Sequence, residues 1–176
     1  MRFLNFEYSV GVDGHEPSLA GARQNHTHSE YRLMRVQEMG KSFARKQFDC
    51  CVASDLIEHL TKEEGRQLIR DMERIASKKV LLFTPNGFLA QSSRGDDLQQ
   101  HLSGWEAGEM RSLGFTVAGM HGHRFLRGEQ HRHRFRPRIL SGLLSVLTHY
   151  LYTRSHPEHA AALLCIKDVT NKQEKS

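Results

Sequence analysis

Three short stretches of this chain end in residues able to hold or activate a small molecule. Asp13 directly follows Gly11-Val12 at the end of an apolar run that begins at Ser9. A carboxylate at a strand end can accept two hydrogen bonds from ribose hydroxyls, and an aspartate there can equally shape a turn. Ser54 and Asp55 close the run FDCCVAS, with Glu58 and His59 just beyond. Asp55 can meet an amine, and Glu58 and His59 can move protons. The same two can instead brace the loop and the next helix, because no recognisable triad forms around them. Thr84-Pro85-Asn86 ends the third run.

Histidine supplies a further candidate. His121, His123, His131 and His133 form two H-x-H pairs, a spacing that can bind zinc or nickel. No cysteine or carboxylate completes a set nearby, and the arginines between them repel cations, so no metal is expected there. The same stretch, His121 to Arg138, carries much of the net charge of +5. It reads as a solvated basic loop, or as a surface that attracts an anionic acceptor such as a lipid head group or a sugar phosphate. Phe125 and Phe135 show no ordered stacking pattern, so nucleic acid is not expected.

These residues need a scaffold. Ser9 to Val12 reads as a strand, and Pro17 opens a helix over Ser18 to Gln24. Tyr31 to Val36 is a weaker strand candidate, followed by a basic connection, Gly40 to Gln47. Phe48 to Ser54 is apolar apart from Asp49, the pattern of a strand buried on both faces. Thr61-Lys-Glu-Glu64 is a capping box at a helix start. Leu68, Ile69, Met72, Ile75 and Ala76 then form one apolar stripe, and Lys78 and Lys79 close that helix. Val80 to Phe83 is the next strand, so Phe48 to Phe88 predicts a parallel strand–helix–strand unit. Ser103-Gly-Trp-Glu106 reads as a second capping box for a helix ending at Gly114. Phe115 to Met120 is a strand, and Ala160 to Ile166 is the last strand. Pro137 opens an amphipathic helix to Tyr150 that reads as core, with binding at a membrane interface as the alternative. The loop Leu89 to Gln100 is long and polar, as a lid would be.

Alternating strands and helices predict an α/β fold with an open, mostly parallel sheet. In such sheets ligands sit beyond the carboxyl ends of the strands, where Asp13, Ser54, Asp55 and Thr84 to Asn86 fall. The 176 residues fit one domain, 1–169, with a polar tail over 170–176. A hydrophobic fraction of 38% and a charged fraction of 26% are those of a globular chain. Cys50, Cys51 and Cys165 are odd in number and read as small core residues in a reducing compartment. With no signal-peptide pattern and no apolar run near ~18 residues, the expected location is cytoplasmic.

Taken together, VGVDGHEPSLAGAR, FDCCVASDLIEHL, KKVLLFTPNGF and SGWEAGEMRSLGF resemble a class I S-adenosylmethionine-dependent methyltransferase of type 11. The likeness runs from about Ser9 to about Lys167. It implies a Rossmann-like sheet whose last strand, AALLCIK, is antiparallel. It implies S-adenosylmethionine as cofactor, with Asp13 binding the ribose and Gly11 beside it. Ser54 and Asp55 would lie by the methionine end and the substrate entrance, and Pro85 and Asn86 would shape the neighbouring strand end. Any general base would be Asp55 or His59.

Two departures accompany the likeness. The family opens with a strand and a glycine-rich turn, where the backbone approaches the cofactor as only glycine permits. No such turn precedes Asp13. The family also places an acid near the adenine amine, where Arg35 falls here, so Gln37 or Glu38 would serve. The expected activity is methyl transfer to an unidentified acceptor. The alternative is a non-catalytic remnant or interaction subunit, in which open strand edges are completed by a partner or a second copy.

Overall fold

A computed structural model describes residues 6–89, 100–126 and 138–170. The strands are β1 (Val10–Asp13), β2 (Glu30–Leu33), β3 (Phe48–Ser54), β4 (Ala76–Pro85), β5 (Thr116–His123) and β6 (Ala160–Asp168). The helices are α1 (Glu16–Gln24), α2 (Met39–Ser42), α3 (Lys62–Ile75), α4 (Ala107–Ser112) and α5 (Arg138–Thr148). The expected alternation of strand and helix is present. The described chain forms two compact units, 1–44 and 45–176.

The first unit is a parallel β1–β2 pair joined by α1, with Val12 opposite Arg32 and Asp13 opposite Leu33. Pro17 lies in the first turn of α1, where its missing N–H costs nothing. Leu19 is the buried residue of that helix. The Tyr31 hydroxyl donates to the Ala22 carbonyl at 3.1 Å and receives the His28 amide at 2.8 Å, pinning the loop between helix and strand.

The second unit is a four-stranded sheet in the order β3-β4-β6-β5. β3 and β4 are parallel, and β6 runs antiparallel between β4 and β5. The sheets are thus open and parallel in strand direction apart from the last strand. α3 forms the crossover from β3 to β4. Its capping box is complete: Thr61 accepts from the Glu64 amide, and the Glu64 carboxylate accepts from the Thr61 amide. Its buried stripe is Leu68, Ile69, Met72 and Ile75.

Several local expectations are corrected. β3 is not buried on both faces: Cys51 and Ala53 are inside, while Cys50, Val52 and Ser54 are exposed. α3 packs on this strand, whose buried and exposed residues alternate. Cys50 is therefore a surface thiol and not a core residue. Lys78 and Lys79 do not close α3. They lie on β4, where Lys78 pairs with Asp49 at 2.9 Å and Lys79 with Asp168 at 3.8 Å. Backbone pairing with β3 starts at Ala76 and ends the helix there. Ser103 does not cap α4, whose preceding residue is Glu106.

α5 is not a core helix. Leu143, Val146 and Leu147 are more than half exposed. The helix docks instead through Ser145, whose hydroxyl donates to the His121 carbonyl at 2.7 Å. Gly122 makes that approach possible. It has φ +73°, and a Cβ there would stand 2.2 Å from the Ser145 carbonyl oxygen. His131, His133, Phe135 and Pro137, residues 90–99 of the loop, and residues 171–176 of the tail lie outside the described residues.

Candidate functional site

In the first unit, β1 presents Asp13 at its carboxyl end. Asp13 is half-buried, and its Oδ1 accepts the His15 amide at 2.8 Å. That contact closes an Asx turn into α1 and leaves Oδ2 to accept from elsewhere. Gly11 is buried two residues earlier, and a Cβ there would stand 2.6 Å from His28 Cδ2. The glycine therefore has a packing reason as well as a place near a strand end. Burial lowers the pKa of His28, and its Nδ1 has no partner among the described residues. Gln37 is exposed in the short 3-10 turn Val36–Glu38.

In the second unit, the chain leaves β3 through Ser54 and Asp55. Both are exposed, and the Ser54 hydroxyl donates to Asp55 Oδ2 at 3.2 Å. Asp55 has φ +48°, a left-handed conformation that non-glycine residues seldom adopt. Its amide donates to the Phe83 carbonyl at 2.9 Å, so the turn is anchored on β4. A 3-10 turn, Ile57–His59, follows directly and leads into α3 through Thr61.

That turn is buttressed from far along the chain. The Leu102 and Ser103 amides both donate to the Glu58 carbonyl, at 2.8 and 3.1 Å. The Ser103 hydroxyl donates to the Ile57 carbonyl at 3.2 Å and receives Trp105 Nε1 at 2.9 Å. Trp105 is fully buried against Gly65, and the Lys62 ammonium lies 3.9 Å from its ring centroid. Segment 100–106 is thus fixed on the turn by backbone bonds and one large anchor.

The anchoring carries His101 to His59. Their rings meet edge to face with centroids 4.8 Å apart. Glu58 completes the cluster: one ligand atom from each of Glu58, His59 and His101 lies within 4.8 Å of the others. Glu58 is buried, and Thr84 Oγ1 donates to its Oε2 at 3.1 Å. Desolvation raises its pKa, opposed by hydrogen bonds from backbone and Thr84. Asn86, by contrast, is used up in support. Its amide donates to the carbonyls of Pro157, Glu158 and Ala160 and ties β4 to the start of β6.

Residues 2–84 match the family model of the methyltransferase domain. The chain resembles the S-adenosylmethionine-dependent methyltransferases. The matched stretch of this methyltransferase-like chain contains Gly11, Asp13, Gln37, Ser54, Asp55 and His59, and ends at Thr84. Its fold is that of a methyltransferase from Archaeoglobus fulgidus, described as S-adenosylmethionine dependent. The TM-score is 0.56 at 16% identity, over 91% of this chain and 75% of that one. The plantazolicin methyltransferase BamL, solved with a desmethyl-plantazolicin analogue and S-adenosylhomocysteine, gives 0.52 at 12%, over 96% and 70%. A magnesium protoporphyrin IX methyltransferase from Synechocystis PCC 6803 gives 0.46 at 12%, over 90% and 58%. No curated protein matches the chain.

Sequence reasoning on this methyltransferase-like chain picked out His59 and weighed Glu58, but missed His101. The histidines of the H-x-H pairs lie elsewhere, and His131 and His133 fall outside the described residues. His123 stacks on His159 with centroids 5.9 Å apart, and His121 packs on Phe83. The usable signal was Trp105, a lone tryptophan whose burial had to fix its neighbours somewhere.

Proposed function

We propose that the chain binds S-adenosylmethionine and transfers its methyl group to an acceptor yet to be identified. The observation that carries this reading is the methyltransferase-domain match, whose residues include Asp13 and Ser54-Asp55 at the carboxyl ends of parallel strands. When bound, the sulfonium supplies an already activated methyl group, and the protein's task is largely alignment. Residues 1–169 act as one methyltransferase-like domain in this proposal.

The donor and acceptor chemistry fits. Asp13 keeps one carboxylate oxygen for ribose hydroxyls after its bond to the His15 amide. Gly11 keeps side-chain bulk off β1 beside it, and Gln37 serves the adenine amine. Ser54 lies by the methionine end. Asp55 and His59 are the groups able to take a proton from an acceptor that must lose one. No helix among the described residues is long and apolar enough to cross a membrane. We place the enzyme in the cytoplasm and favour an anionic acceptor, since the chain carries a net charge of +5.

Thermal melting tests the reading. A ligand that binds only the folded state at a hundredfold above its Kd adds about 2.7 kcal/mol. S-adenosylmethionine should raise the melting temperature of the chain, and Asp13→Asn should remove most of that rise. An unchanged melting curve at millimolar cofactor would favour the second reading, an interaction subunit on a methyltransferase fold. The observation behind that alternative is the division of strands into two sheets, with β3 at the edge of the larger one.

A further inference from the structure

We propose that Glu58, His59 and His101 form a binding site for a divalent transition metal, with zinc as the ion the ligand set suits. The residues supply one buried carboxylate and two half-buried imidazoles, with ligand atoms all within 4.8 Å of one another. Two histidines and one glutamate are a three-ligand zinc set that leaves a fourth position for water or another oxygen donor. Around a tetrahedral ion with bonds near 2.1 Å, ligand atoms stand about 3.4 Å apart. The widest separation exceeds that by about 1.4 Å, so the three groups must draw together on an ion.

The hydrogen bonds of the two rings are the independent sign. His59 Nδ1 lies 3.2 Å from the Gln100 carbonyl oxygen, and His101 Nδ1 lies 2.8 Å from that of Leu89. A carbonyl only accepts, so each Nδ1 carries the proton. Each Nε2 is then left with its lone pair, the tautomer a metal requires, and the backbone bond fixes the ring as outer partners do in metal sites. Glu58 is oriented in the same way by Thr84 Oγ1. Asp55 stands close enough to act electrostatically on Glu58, adding negative potential that favours a cation.

The site draws its ligands from two places in the chain. Glu58 and His59 belong to the turn after β3, and His101 to the segment anchored by Trp105. An ion would join them by coordinate bonds where backbone hydrogen bonds now do so. It would stand beside the exposed turn at Ser54-Asp55, with its open position available to an oxygen of water or of a small anion. With the ion bound His59 is a ligand and not a base, which leaves Asp55 as the group able to take a proton; the site itself requires neither cofactor nor turnover.

The full chain, stripped with a chelator and dialysed, is titrated with zinc ion in competition with a chromophoric chelator. One equivalent should bind, and His59→Ala and His101→Ala should each weaken affinity at least ~100-fold, at or beyond the range for losing a supporting residue. Zinc should also raise the melting temperature of the parent chain and not of His101→Ala. The chain holds 12 histidines, so His123→Ala/His159→Ala is the control and should bind as the parent does. Should His101→Ala disturb the far-ultraviolet dichroism, His101→Gln keeps the bulk and gives the same readout. No binding, or binding lost only in the control, would overturn the assignment.

Discussion

Thr84 Oγ1 donates a hydrogen bond of 3.1 Å to Glu58 Oε2, and both residues are buried. The bond joins the end of β4 to the turn after β3, the two strand ends of the crossover unit. Thr84→Val keeps the shape and removes the donor. It should destabilise the chain by about 1–3 kcal/mol, the cost of leaving a buried acceptor short of a partner. Urea denaturation followed by circular dichroism would show a lower midpoint with an unchanged slope.

Gly65 faces Trp105 across the start of α3. Alanine there would ordinarily favour a helix by about 1 kcal/mol. Its Cβ, however, would stand 2.4 Å from Trp105 Cζ2 and 3.1 Å from Ile57 Cγ1. Gly65→Ala should therefore destabilise by about 1–3 kcal/mol, as overpacking does. Trp105→Ala should cost about 3–5 kcal/mol by leaving a cavity. The same denaturation curves check both.

The three cysteines should separate by reactivity. Burial pushes the Cys51 thiol up to about 11 and the Cys165 thiol up to about 12, while Cys50 is exposed. The thiolate is the reactive form. Mild alkylation near neutral pH should modify one thiol in the native chain and three in denaturant, and Cys50→Ser should abolish the native reaction. Linkage has the matching sign. Both thiols ionise less readily folded than unfolded, so their contribution is intact below the ordinary value of 9.0 and is lost as pH climbs toward 11.

Much of this arrangement was legible in the sequence because local rules decided it. Thr61 and Glu64 sit at capping-box spacing and make both bonds of the motif. The α3 stripe and the alternation of strands and helices along the chain followed from periodicity and turn residues. What failed was decided by distant partners. Ser103 and Glu106 have the same spacing as Thr61 and Glu64, yet the Ser103 hydroxyl is taken by Ile57 and Trp105. An apolar run such as Phe48 to Ser54 does not reveal whether one face or both are covered. The α5 periodicity shows a stripe but not which side docks, and Gly122 with Ser145 turns the polar side inward. His101 joins His59 because Trp105 and the Leu102 and Ser103 amides hold its segment on the turn.

Capping gives a smaller, independent check on the crossover helix. Thr61→Ala removes the side chain that accepts from the Glu64 amide and should cost about 1 kcal/mol. Thr61→Ser should restore most of it, as read from the thermal midpoint.

In the proposed activity, Asp13 holds the ribose of S-adenosylmethionine. Isothermal titration calorimetry of the full chain with S-adenosylmethionine tests it most directly. Saturable one-to-one binding is expected, with Asp13→Asn weakening it at least ~10-fold through loss of a charge-assisted hydrogen bond. No heat of binding at millimolar cofactor, or equal affinity in Asp13→Asn, would contradict it.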